Sequence, residues 1–198
     1  MLNTESLILM TGLIYLVFLL RHLSHKRTLE EHFIFTVFFV YLAGVVNVTF
    51  FPFPIQQSLM IAMQNQPWHP AIVDLIPLRS IYLIITRDQW SSIVHGIGGN
   101  IILFFPLGCL LPLMISRLNS RKAMTIGVGV SIGVELLQGF FNLLLGYEYR
   151  QPGIDQVILN TIGFWEGYTL VQRVSAKLPL PTYYGAKPTE IRRIESTD

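Results

Sequence analysis

The sequence predicts an all-α integral membrane bundle of about five transmembrane helices, with a re-entrant or interfacial segment in one long outer loop. Composition is the first reason: 52% of the 198 residues are hydrophobic and 13% charged, where a soluble domain carries about a quarter charged residues. Mean hydropathy is positive, at +0.51. The second reason is that five apolar stretches approach the ~20 helical residues that cross a hydrocarbon core. They run roughly from Ser6 to Leu20, Phe33 to Phe53, Ile93 to Ser116, Ala123 to Tyr147 and Ile154 to Gln172. The third is that basic residues cluster in alternate connections, as they do on the cytoplasmic side of membrane proteins.

Those clusters set the direction of each span. No Lys or Arg precedes span one, whereas Arg21, Lys26 and Arg27 follow it, the reverse of a secretory signal peptide. Arg117, Arg121 and Lys122 lie between spans three and four, and Arg173, Lys177, Lys187, Arg192 and Arg193 follow span five. Both loops and the C-terminus are therefore expected in the cytoplasm and the N-terminus outside, in a multi-pass membrane protein. Residues 1–175 form the expected transmembrane domain. Residues 176–198, with Pro179, Pro181 and Pro188 among mixed charges, read as a flexible cytoplasmic tail.

The outer loops are then Pro54 to Ser92 and Glu148 to Gly153. Within the first, Ala71 to Thr86 reads AIVDLIPLRSIYLIIT. Asp74, Pro77 and Arg79 make it a poor crossing, and a re-entrant or interfacial course is expected instead. Pro77 should interrupt any helix there. The pI near 8.8 comes from where charges sit; no basic stripe with interleaved aromatics suggests nucleic acid. The single cysteine, Cys109, excludes an intrachain disulfide and a multi-cysteine metal site. No cofactor is predicted.

Ionisable side chains at membrane depth are expensive and usually face a partner or a wet cavity. Glu135 is the main one. With Gln138, Gly139 and Asn142 it follows an i, i+3, i+4, i+7 spacing that places all four on one face of span four. In span five the same spacing links Asn160, Gly163 and Gly167, where small residues let another helix approach and Asn160 reaches a neighbour. By orientation, Asn47, Asn100, Gln138, Asn142 and Asn160 fall in the outer half, with Glu135 nearer the middle. Arg150 and Asp155 lie at the mouth, where Asp74 and Arg79 come from the same side.

Each has a plainer reading. Asn and Gln often hydrogen-bond between membrane helices for about 0.6 kcal/mol, Glu135 has the alternative of a protonated structural carboxyl, and Arg150 with Asp155 that of a surface ion pair worth ~0–1 kcal/mol. His95 has no second His or Cys at ligand spacing, which argues against a metal. Glu166 is off the Asn160 face and has no assigned role.

The order of these segments resembles the VanZ-like family, associated with teicoplanin resistance. The matching pieces are FFPF at Phe50 to Phe53, DLIPLRSI at Asp74 to Ile81, NIILFFPLG at Asn100 to Gly108, VELLQ at Val134 to Gln138 and RQPGIDQVILNTIGFWEGY at Arg150 to Tyr168. Together they span about residues 50–168. In the family the last piece usually reads Arg, two variable residues, Asp, Ile, Asp, Asp, then an apolar stretch closed by Asn. Here Gly153 and Gln156 stand where the flanking acids would, which weakens any mechanism needing clustered carboxylates, and Asp74 stands where the family often has Asn. The resemblance points to Arg79, Asn100, Glu135, Gln138, Arg150, Asp155 and Asn160 as ligand-binding residues.

The resemblance implies a site open to the outer leaflet, with an envelope lipid, a peptidoglycan precursor or a lipoglycopeptide as ligand and membrane lipid as surroundings. Three functions remain open. A binding protein would use Arg150 and Arg79 on an anionic head group. An enzyme acting on a lipid-linked substrate would use Glu135 or Asp155 as general base with His95 assisting, without a recognisable nucleophile motif or metal set. A proton-coupled transporter would use the buried Glu135, though no inverted repeat is present. Binding asks least of the residues present.

Overall fold

Thr28 and Glu31 begin the first long helix, α1 (Leu29–Phe50), by exchanging hydrogen bonds. The Glu31 N–H donates to Thr28 Oγ1 and the Thr28 N–H to Glu31 Oε2, both at 3.3 Å. This reciprocal cap satisfies two of the free donors of a helix start. It also explains why the helix begins before Phe33, where the apolar run begins. The structure, a computed structural model, describes residues 12, 15–17, 28–50, 74–87, 94–115, 118–145 and 151–177. Most of span one, Phe51 to Phe53, Arg150, the tail after Lys177 and the side chain of His95 lie outside the described residues.

After α1 come a short helix α2 (Arg79–Arg87), a π-turn (Val94–Gly98) running into α3 (Gly99–Met114), then α4 (Ser120–Leu145) and α5 (Ile154–Ser175). Thus α1, α3, α4 and α5 correspond to spans two to five, and α2 lies in the expected outer loop. Among the described residues there is no strand, only an isolated parallel bridge between Asp74 and Gly153. Leu29–Phe50, Gly96–Met114 and Ser120–Leu145 are long and apolar enough to cross a membrane. With 22 residues, α5 is about 33 Å long, sufficient in length, but Asp155, Gln156, Asn160, Glu166, Gln172 and Arg173 make it more polar.

Glycine decides how α3 and α5 pack. A Cβ on Gly163 would meet the Ile101 carbonyl oxygen, one on Gly167 the Phe105 carbonyl oxygen, and one on Gly108 the backbone of Phe164 and Tyr168. The rising order of these contacts in both helices means that α3 and α5 run parallel, backbone against backbone. The expected role of Gly163 and Gly167 is therefore met, with α3 as the helix that approaches. Phe164, fully buried, lies over Gly127 of α4, where a Cβ would meet its ring. Around it gather Phe104, Leu107, Leu111, Leu118, Ala123 and Tyr168.

Contacts along α4 run opposite to α5: Gly127 meets Phe164, Ser131 Oγ is 3.5 Å from the Val157 carbonyl, and Glu135 meets Asn160 and Gly153. The Tyr41 hydroxyl of α1 donates to the Leu103 carbonyl at 2.8 Å. That carbonyl is next to Ile102, whose own helical partner is removed by Pro106. Gln138 Nε2 of α4 lies 3.5 Å from the Thr49 carbonyl, so the C-terminal ends of α1 and α4 meet. The ends of α1 and α4 and the starts of α3 and α5 thus lie together, as alternating membrane crossings require.

The exposure pattern is inverted relative to a water-soluble bundle. On α4 the buried residues are Ala123, Gly127, Ser131, Glu135, Gly139 and Asn142, all small or polar. Leu136, Leu137, Phe140, Leu143 and Leu144 are exposed on the other side. Such an apolar exterior with a polar interior suits a helix whose solvent is lipid.

Candidate binding site at the polar end of the bundle

Three segments distant in sequence build this end. Gly153, just before α5, pairs with Asp74: the Asp74 N–H donates to the Pro152 carbonyl at 2.8 Å and the Ile154 N–H to the Asp74 carbonyl at 2.9 Å. Gly153 has no room for a side chain, since a Cβ would lie 2.9 Å from the Asp74 oxygen and from Gln156 Oε1. Its own N–H turns inward and donates to Glu135 Oε2 at 3.2 Å. Asn160 Nδ2 donates to Glu135 Oε1 at 3.3 Å. Glu135 and Asn160 are 4% and 1% exposed.

Asp155, 2% exposed, serves another helix. Its Oδ1 accepts the Leu78 N–H and its Oδ2 the Ile81 N–H, the latter at 3.2 Å. Both donors belong to the start of α2, where Leu78 holds the position a Ser, Thr or Asp would normally cap. Leu78 cannot cap itself, and Asp155 supplies the missing carboxylate. Leu78 also has a positive φ of 66°, a left-handed conformation that costs a non-glycine residue ~1–2 kcal/mol. The Asp155 carboxylate helps hold that turn in place. Pro77 lies in the turn before α2, as its ring demands.

Arg79, at the first position of α2, is 3.5 Å from Asp74 Oδ2 and 54% exposed. An exposed pair of that length is worth ~0–1 kcal/mol, so the guanidinium is only lightly engaged. Asp74 Oδ1 also accepts the Ile76 N–H at 3.1 Å. A continuous series of contacts therefore runs from Arg79 through Asp74 and Gly153 to Glu135 and Asn160.

The remaining candidates stand at the same end in different company. Asn100 Nδ2 donates to the Gly96 carbonyl at 2.9 Å, serving the start of its own helix. Gln138 reaches α1 and not the Glu135 cluster. Asn142 is buried on the same stripe of α4 as Glu135. Glu166 is exposed. Arg150, and with it the expected contact to Asp155, lies outside the described residues. Among the described residues no three His, Cys, Asp or Glu side chains come close enough to hold a metal.

Sequence reasoning missed Gly153 as a backbone donor, Asp155 as the cap of a distant helix, and Gln156 as a buried acceptor. A weak signal existed for Gly153: glycine stands where the resembling family usually has an acid.

A helical membrane protein whose polar groups converge at one end of the bundle is the class these observations define. A family model described as VanZ/LLP1 matches residues 38–175, and the chain belongs to that family. That range takes in most of α1 and all of α2 to α5. No curated protein and no solved structure matches.

Proposed function

We propose that the protein binds the anionic head group of an envelope lipid, a lipid-linked peptidoglycan precursor or a lipoglycopeptide at the polar end of its bundle, and through it contributes to teicoplanin resistance. The observation that supports this most is the unbroken path from the exposed, lightly paired Arg79 to the buried Glu135 and Asn160. A guanidinium offers a planar fork to phosphate or carboxylate. Arg150, two residues before Pro152, is the second cation of the proposed site. Asn100, Gln138 and Asp155 complete the set, Asp155 by holding α2 in position and the amides by orienting the ligand.

In this reading the polar end faces outward in a bacterial cell membrane, with the N-terminus outside and the C-terminus in the cytoplasm, because each basic cluster then lies inside. The ligand reaches the site from the outer leaflet, along the exposed apolar side chains Leu75, Ile76, Tyr82 and Ile85 beside α2. Those side chains suit an acyl tail, which is why a lipid-tailed ligand is favoured over a plain one.

The test compares a deletion strain with its parent against lipid-tailed and plain glycopeptides, together with binding of a fluorescent lipoglycopeptide to purified protein in nanodiscs. Saturable binding, and a susceptibility change confined to the lipid-tailed compounds, are expected. No binding and no change in either class would overturn the proposal.

A further inference from the structure

We propose that Glu135, Asn160 and Gln156 bind one monovalent cation of sodium size at the buried end of the path proposed for the anionic head group, a site that differs from it in chemistry and shares Glu135 and Asn160 with it. Asn160 spends its one hydrogen-bonding contact on Glu135 through Nδ2, and its Oδ1 is buried without a partner. Gln156 Oε1 is likewise buried and without a partner. Both are acceptors, and a buried acceptor left unmatched costs about 1–3 kcal/mol.

Charge makes the same demand. Glu135 receives two neutral donors, at 3.2 and 3.3 Å. No basic side chain among the described residues pairs with it. A buried carboxylate without a charged partner is costly, and a bound cation would offset part of that cost.

These oxygens belong to one neighbourhood. Gln156 and Asn160 are four residues apart and share a face of α5. Gln156 Oε1 lies 2.9 Å from where a Cβ on Gly153 would stand, and Gly153 itself donates to Glu135. The group therefore offers one carboxyl and two amide oxygens, a hard, all-oxygen set whose formal charge is −1 when Glu135 is ionised. A proton would satisfy one of these oxygens, and a water molecule would bring no charge. A calcium ion would usually ask for several carboxylates. A sodium-sized ion answers all three atoms, and the burial of Glu135 and Asn160 excludes a bulky ammonium head group.

The experiment follows thermal unfolding of the full-length protein in phosphatidylcholine nanodiscs while NaCl replaces choline chloride at constant ionic strength. Binding to the folded state raises Tm in a saturable way. Wild type should show this rise, Glu135→Gln should lose it, and Gln156→Leu should need about tenfold more Na+, one lost contact of roughly 1.4 kcal/mol. A Tm indifferent to Na+, the same curve in wild type and Gln156→Leu, or a Tm that follows pH and ignores Na+ would overturn the site. Should Glu135→Gln fail to fold, the Gln156→Leu curve decides alone. Lipoglycopeptide binding in choline buffer is measured separately on wild type and Gln156→Leu, because Gln156 lies outside the proposed head-group set and failure of one proposal is then distinguishable from failure of the other.

Discussion

Phe164 and Asn160 are one turn apart on α5, yet they belong to two kinds of interior. Around Phe164 the helices meet through absent side chains: Gly127 accepts its ring, and Gly108, Gly163 and Gly167 let the backbones of α3 and α5 touch. Around Asn160 they meet through charge and amide groups, with Glu135 as the common acceptor. In lipid, burying apolar surface gives little advantage over leaving it exposed, so close van der Waals packing has to hold the first region together. The second region adds little to that cohesion and keeps unmatched buried acceptors, which are costly. A stretch that bears such a cost beside a well-packed one is a candidate for function.

The largest effect should come from attacking the packed region. Gly163→Leu forces a side chain into the Ile101 carbonyl and should cost about 3 kcal/mol or more, seen as loss of the folded protein from solubilised membranes. Gly133→Leu is the control. Nothing lies within 4 Å of its Cβ position, so Tm should stay near that of wild type. Equal damage from both would erase the contrast between a packed and an open glycine.

An intermediate effect is expected at Asp155. Asp155→Ala removes the cap of α2 and the restraint on the Leu78 turn, for a local loss of about 2 kcal/mol. Limited proteolysis should cut near residues 76–81 sooner, while cleavage of α3 to α5 is unchanged. A uniform rise in cleavage would mean that Asp155 supports the whole bundle. For Arg150 the stability effect should be smallest and the functional effect specific. Arg150→Lys keeps charge but loses the fork, and should impair lipoglycopeptide binding nearly as much as Arg150→Ala with both proteins stably inserted. Full binding by the lysine variant would reduce the site to a generic positive charge.

Orientation is tested without touching stability. In a Cys109→Ser background, cysteines at Gln66 and Gln151 should react with an impermeant reagent added outside intact cells, and one at Asn119 should not. Labelling at Asn119 would put the polar end on the cytoplasmic side.

What the sequence made legible was whatever helical spacing could express. The face carrying Glu135, Gly139 and Asn142 is the buried face of α4, Gly163 and Gly167 do face a helix, and Asn160 does reach a neighbour. Span starts were legible only to a few residues, because α1 is begun by the Thr28 and Glu31 cap before its apolar run. The pairing of Asp74 with Gly153, and of Asp155 with Leu78 across 77 residues, leaves no local period to read. These contacts depend on how a loop folds back on a distant helix. Asp155 illustrates the difficulty: its first-turn position already explains an acid through the helix dipole, which concealed that the same carboxylate caps α2.

The central claim is that Glu135 is kept for its charge and not for its fit. Glu135→Gln is the most direct measurement, because it preserves shape and one acceptor for Gly153 while offering an amide donor to the unmatched Asn160 oxygen. Membrane level, Tm and lipoglycopeptide binding should be measured together in choline buffer. The account predicts normal insertion, a Tm at or above that of wild type and loss of binding. Full binding at normal Tm would contradict it and leave Glu135 a structural hydrogen-bonding residue.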